Sequence, residues 1–242
     1  MIDINCDMGE LKQLFEDGTY EALMDHVTSI NIACGGHAGD KVMMRAMVLL
    51  AKEKNVKIGA HPSYPDRENF GRFEMDISDK DLSASILEQI NSLIEIADEY
   101  NYPICHIKPH GALYNSAAKD VGLATLIGKV IKSIKPTLPI MCLAGSKMVS
   151  VLKDMGLNVL RESFADRTYE ADGSLRKRTS SNALIINIQD ASMQAYSISK
   201  NNKLIAHDGS EIALRSDTLC IHSDTPDALK IAIAVNNKLK RS

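Results

Sequence analysis

The sequence predicts an α/β protein organised on a parallel sheet, and three observations predict it. Short apolar, β-like runs recur along the 242 residues, at 2–6, 29–34, 56–59, 104–107, 140–144, 158–160, 183–187 and 218–222. Segments with helical periodicity lie between several of them, and strand, helix, strand alternation is the signature of βαβ units. Several runs end in the same mixture of glycine, histidine and carboxylate: NIACGGHAGD at 31–40, VKIGAHPSYPDRENFGR at 56–72, ICHIKPHGALYN at 104–115 and LCIHSD at 219–224.

Taken in order, the first run passes directly into Asp7-Met8-Gly9-Glu10. The second ends in Gly35-Gly36, and Asp40 is placed to cap a helix over 41–54. The third leads through His61 into a loop, after which Ser78 and Asp81 form a weak capping box for a helix over 79–100. The fourth exits through Pro109-His110-Gly111, and a helical segment follows at 121–134. The fifth run precedes a helix over 146–155, and the sixth leads to Asp166-Arg167. Residues 192–214 break the alternation and read as an inserted β-hairpin with turns near 201–202 and 208–209. The last run ends at His222, before a helix over 226–239. No repeat, low-complexity tract or Pro/Gly-rich linker divides the chain, so a single domain over 1–242 is expected.

Composition narrows the function. With 45% of positions apolar, the chain can bury a large core. A net charge of -3, no basic stripe and 5% aromatic residues argue against nucleic-acid binding and favour a small-molecule partner. The chain opens as MIDINCDMGE, without a basic-then-apolar leader, and no apolar run approaches membrane length, so a cytoplasmic protein with no membrane partner is expected. Five cysteines, Cys6, Cys34, Cys105, Cys142 and Cys220, lie in or at the ends of strand-like runs without CxxC pairing. They read as reduced core thiols.

Closed and open parallel sheets both keep their ligand sites at the carboxyl ends of the strands. Asp7, Glu10, His37, Asp40, His61, Arg67, Lys108, His110, Asp166, Arg167 and His222 would then face one rim. His26 and His207 follow no strand and keep no polar company. Met43, Met44, Met47, Met141 and Met148 read as packing residues. The Arg176–Arg178 run reads as a solvated loop, with closure over an anion as the alternative.

The motifs NCDMGE, NIACGGHAGD, GAHPSYPDRENFGR, HIKPHGALYN, FADRTYEADGSLRKR and LCIHSD together resemble the LamB/YcsF family, the A subunits of prokaryotic ATP-dependent 5-oxoprolinase. The resemblance runs from residue 3 to residue 224. It implies an irregular (β/α) barrel of the glycoside hydrolase/deacetylase type with about seven main parallel strands. It also implies conversion of 5-oxoproline (pyroglutamate) and water to L-glutamate with ATP hydrolysis, together with B and C partner subunits. Two positions depart from the family pattern: Leu11-Lys12-Gln13 follows Glu10, and His222-Ser223-Asp224 stands where His-Gly-Asp is common.

Opening a lactam needs attack on the carbonyl, stabilisation of the oxyanion and a proton for the leaving nitrogen. Asp7, Glu10, His37, His61, His110 and Asp166 are the expected catalytic set. Lys108, Arg67, Arg72 and Arg167 suit the anionic parts, and Asn5, Tyr114 and His222 complete the expected substrate contacts. No G-x-S-x-G elbow occurs, which favours activated water over an acyl-enzyme. No G-x-x-x-x-G-K-[ST] loop occurs either, since Gly122 and Gly128-Lys129 have the wrong spacing; ATP is expected to act through the complex. Asp7, His61 and His110 could hold zinc or another divalent ion, as an Asp-His-His site does in the related deacetylase barrels. With no HxxxH or HExxH on one helix face, the sequence assigns no metal ligands. Two other readings stand beside the first: a metal-dependent deacetylase or carbohydrate hydrolase working without ATP, and a non-catalytic substrate-binding subunit.

Overall fold

A computed structural model describes residues 2–240. Seven parallel strands close into a barrel: β1 (Asp3–Met8), β2 (Ser29–Ala33), β3 (Lys57–His61), β4 (His106–Ile107), β5 (Ile140–Leu143), β6 (Val159–Phe164) and, after an insertion carrying β7 (Lys203–Ile205) and β8 (Glu211–Ala213), β9 (Thr218–His222). β9 closes the ring by pairing with both β6 and β1.

Nine α-helices alternate with the strands among the described residues: α1 (Lys12–Glu16), α2 (Thr19–Met24), α3 (Lys41–Lys54), α4 (Asp79–Glu99), α5 (Gly111–Ala117), α6 (Val121–Ile134), α7 (Lys147–Asp154), α8 (Ile188–Tyr196) and α9 (Ala228–Lys240). Asp40 caps α3 by accepting from the Met43 N–H at 2.8 Å. Ser78 caps α4 by accepting from the Asp81 N–H at 3.1 Å, and its hydroxyl donates to the Asp81 carboxylate at 2.7 Å. None of these helices is long and apolar enough to cross a membrane.

Strand side chains alternate with a period of two, and here the alternation separates two environments. Ile4, Cys6, Met8, Ile30, Ile32, Ile58, Ile107, Leu219 and Ile221 join the apolar core shared with the helices. The intervening positions Asn5, Asp7, Asn31, His106, Lys108, Glu162 and Thr218 are buried and polar, and they bond to one another across the barrel.

Four expectations need correction. The run at 183–187 forms no strand; Leu184 makes one isolated bridge to Arg167. The sixth strand is longer than 158–160 and reaches Phe164. Residues 192–201 are not hairpin. Asn187 caps α8 by accepting from the Gln189 and Asp190 N–H groups, and α8 runs into a π-helical turn over Ser197–Asn201. Ala191, Ala195 and Ile198 bury one face of this segment, so tertiary burial overrides the alternation in SISK. Only β7 and β8 form the hairpin, around Asp208-Gly209. Finally, Cys105 is exposed, because it alternates with buried Ile104 and His106 on entry to a two-residue strand. The other four thiols are buried, and burial pushes Cys34 up to about 12.

Candidate active site

The site begins inside the barrel. Lys108, one residue past β4, is buried with its Nζ 2.8 Å from Asp7 Oδ1 and 3.0 Å from Glu162 Oε1. Burial alone would lower this ammonium, but Asp7 and Glu162 hold it well above its ordinary value. Burial likewise opposes the charge on Asp7, yet Lys108 outweighs it and keeps the carboxyl far below the usual range. Glu162 has the same ammonium beside it but is raised, with burial the leading cause. One cation between two carboxylates therefore leaves Asp7 charged and pushes Glu162 toward protonation.

Neighbours orient this triad. Asn5 Nδ2 donates to Glu162 Oε1 at 2.9 Å and to Thr218 Oγ1 at 2.8 Å. Asn31 Nδ2 donates to Asp7 Oδ1 at 2.7 Å, and its Oδ1 accepts from His106 Nε2 at 2.6 Å. Burial lowers His106 to about 4. His106 lies against Gly59, where a Cβ would sit 2.1 Å from its Nε2; only glycine leaves room for the ring.

Above the triad, at the strand carboxyl ends, four residues from separate loops meet. Glu10 follows β1, and the Tyr20 hydroxyl pins its turn by accepting from the N–H groups of Glu10 and Leu11 at 3.1 and 2.9 Å. His37 lies past β2, His61 ends β3, and His110 precedes α5. Glu10 Oε1 is 3.0 Å from His37 Nε2, 3.2 Å from His110 Nδ1 and 3.7 Å from His61 Nε2. Burial would raise Glu10, but the His110 and His37 imidazoles beside it hold it well below the carboxylate range. Burial lowers His37 to about 4 and His61 to about 3. Gly111 has φ 54, and a Cβ there would lie 2.5 Å from the Gly71 carbonyl oxygen, so the His110 and Phe70-Gly71 loops pack backbone to backbone.

The same face continues into a wide cleft lined by Asp7, Glu10, His61, Lys108, His110, Tyr114, Phe164, Arg72, Arg167, Arg178 and His222. His222 Nδ1 donates to Asp166 Oδ1 at 3.0 Å, and Asp166 also accepts from the Thr225 hydroxyl at 2.7 Å. Burial opposes the Asp166 charge, yet His222 keeps its carboxyl below the usual range. Register explains the gathering: Asp7 sits opposite both Asn31 and His222, and Ala33 opposite His61. Ser223, the departure from His-Gly-Asp, donates its hydroxyl to the Asp7 carbonyl at 2.7 Å and ties β9 to β1. Arg72 and Arg178 each reach Asp224 Oδ2 at 2.9 Å. Arg178 thus leaves the solvated state expected of the Arg176–Arg178 run, while Arg176 pairs with Glu170 at 3.0 Å.

The expected residues do not all come together. Arg67 turns away from the cleft and clamps the carbonyl oxygens of Gly35 and Gly39. Arg167 reaches the cleft but spends its donors on the carbonyls of Ala183, at 3.3 Å, and Arg176, at 2.6 Å. Asp166 acts through His222.

The LamB/YcsF family model matches residues 2–242. The chain belongs to the LamB/YcsF family. A LamB/YcsF relative from Chloroflexus aggregans, named as the A subunit of 5-oxoprolinase, is 44% identical over 239 residues, covering 99% of this chain and 95% of that protein. One from Halalkalibacterium halodurans with the same name is 41% identical over 239 residues, covering 99% and 93%. The crystal structure of a lactam utilization protein from Thermus thermophilus superposes with a TM-score of 0.91 at 37% identity, covering 99% of this chain and 96% of that one.

Glu162, His106 and Asn31 are the polar residues of the LamB/YcsF barrel that reading for strand-end motifs misses. They lie within strands, at positions that share the barrel-facing side with Asn5 and Asp7. A polar residue at every second position of an otherwise apolar run was the available signal for Asn31 and His106, whereas Glu162, between Arg161 and Ser163, shows no such alternation.

Proposed function

We propose that this chain is the A subunit of an ATP-dependent 5-oxoprolinase and opens the 5-oxoproline lactam to L-glutamate with B and C partner subunits. One observation carries the reading. A buried ammonium and a Glu10, His61, His110 cluster lie side by side at the floor of a cleft, in a chain 44% identical over 239 residues to a protein of that name.

The chemistry fits these groups. The oxygen of a water adds to the lactam carbonyl carbon, the C–N bond breaks, and the nitrogen leaves as an amine after taking a proton. Glu10 and the histidines around it are the groups to take and return protons. Lys108, which lines the cleft and is held charged, is suited to the developing oxyanion. If ATP first phosphorylates the amide oxygen, water adds to the same carbon, the C–N bond breaks as the nitrogen takes a proton, and a second water cleaves the resulting acyl phosphate to carboxylate and phosphate. Arg72 and Arg178, whose present partner is the single carboxylate of Asp224, suit that anion or the substrate carboxylate. The absence of a phosphate loop from the sequence supports nucleotide handling through the partners.

The test is glutamate release from 5-oxoproline, with and without ATP, by the chain alone and by the chain with its partner subunits. Release only from the complete complex with ATP is expected. Release by the chain alone without ATP would overturn the coupling, and no release by the complex would overturn the lactam assignment.

A further inference from the structure

Beside the cleft floor, three hydrogen-bond acceptors face one another with no donor among them. His61 Nδ1 is 2.7 Å from the Lys108 carbonyl oxygen, so that nitrogen carries the ring proton and Nε2 is left as a lone pair. His110 Nε2 is 3.0 Å from the Phe70 carbonyl oxygen, which leaves Nδ1 as a lone pair. These two lone-pair nitrogens are 3.0 Å apart. The third acceptor, Glu10 Oε1, is 3.2 Å from His110 Nδ1 and 3.7 Å from His61 Nε2.

Two acceptors cannot bond each other, so a cation must lie between them. A proton on one imidazole satisfies one pair. A metal ion satisfies all three acceptors at once. The ring planes of His61 and His110 are 85° apart, so their in-plane lone pairs can address a common point. Backbone carbonyls holding the outer N–H groups are the partners that metal-bound imidazoles use to fix tautomer and orientation.

His37 belongs to this arrangement in another role. Its ring stacks on His110 with centroids 3.6 Å apart and planes 2° from parallel, so no point lies in both ring planes. It cannot share an ion with His110 in this orientation, but its Nε2, 3.0 Å from Glu10 Oε1, is placed to donate to that carboxylate. Asp7 Oδ2 lies 3.6 Å from His61 Nε2, while its Oδ1 is engaged by Lys108 and Asn31. A second cluster, Asp7, Cys220 and His222, lacks this character, because the Lys108 ammonium stands 3.1 Å from Cys220 Sγ and 2.8 Å from Asp7.

We infer that Glu10, His61 and His110 bind one divalent transition-metal ion, with His37 orienting Glu10 and the remaining coordination positions open to the cleft. Two imidazoles and one carboxylate are a donor set for zinc and its neighbours, and three protein ligands with an open position are the pattern of reactive rather than structural sites. Bound there, such an ion would lower the pKa of a coordinated water.

The experiment reads metal binding without substrate, so its outcome is independent of the lactam assay. The full chain, carrying Cys105→Ser to remove the exposed thiol, is stripped with chelator and titrated with Zn²⁺ by calorimetry and with Co²⁺ by visible absorption. One ion per chain is expected, with Co²⁺ d–d bands of low symmetry. Glu10→Gln, close to isosteric, and His110→Ala should each abolish stoichiometric binding, and His37→Gln should weaken it by about 10–100-fold. Circular dichroism checks that each variant folds. Failure of the folded parent to bind either ion, or unchanged binding in folded Glu10→Gln, would overturn the site and leave a shared proton between His61 and His110.

Discussion

Replacing Lys108 with Met keeps the length of the side chain and removes the charge at the centre of the barrel. In the native protein its ammonium lies 2.8 Å from Asp7 and 3.0 Å from Glu162, all three being buried. Removing one partner of a buried ion pair costs about 3–5 kcal/mol, because the other charge stays desolvated and uncompensated. Here two carboxylates are orphaned, and they escape only by taking up protons. Their folded-state pKa values then lie above the unfolded ones near ~4, so the variant's stability is retained below that pH and lost as pH rises through the folded values. The expected result for Lys108→Met is a loss of about 3–5 kcal/mol at pH 8, a Tm lowered by roughly 6–20 °C for a chain of this size, and a smaller loss at pH 5. Adding Glu162→Gln should restore part of the loss at pH 8, since one orphaned charge is gone. Urea unfolding followed by circular dichroism at both pH values measures this. A cost below about 1 kcal/mol at pH 8, or an equal cost at pH 5 and pH 8, would refute the buried-triad account.

Three further outcomes are expected. His110→Ala and His110→Gln should each lower glutamate formation by the complete complex at least about a hundredfold with the fold intact, and a Gln variant keeping most of its turnover would remove His110 from the chemistry. His106, lowered to about 4 by burial, is neutral in the fold and protonates near ~6.5 when unfolded, so its contribution is present above pH 6.5 and lost on acidification toward 4. Replacing it by Gln should shrink the stability difference between pH 7 and pH 5 by about 2 kcal/mol, and an unchanged difference in urea titrations would contradict its buried neutral state. Gly59→Ala would place a Cβ 2.1 Å from His106 Nε2 and should cost about 1–3 kcal/mol, much of it recovered on adding His106→Ala; strict additivity of the two changes would show that the ring is not what the glycine accommodates.

Strand and helix alternation, the caps at Asp40 and Ser78, and the placing of His37, His61, His110 and His222 at or beyond strand ends are all legible in the sequence. These are local matters. Periodicity, turn glycines and capping residues act over a few positions, so they are written where they act. Tertiary structure settles what distance along the chain conceals. Seven strands and their closure set Asp7 opposite both Asn31 and His222. Barrel-facing alternation, invisible until the inner side is known, sent Glu162 and His106 into the interior and Cys105 to the surface. Arg67 reads like a cleft cation in its motif, yet two backbone carbonyls 28 and 32 residues away claim it. The burial that leaves His61 neutral and sets its lone pair against that of His110 comes from loops 49 residues apart. A side chain's type can be read one residue at a time, but its partners and its dielectric surroundings exist only once the chain has closed on itself.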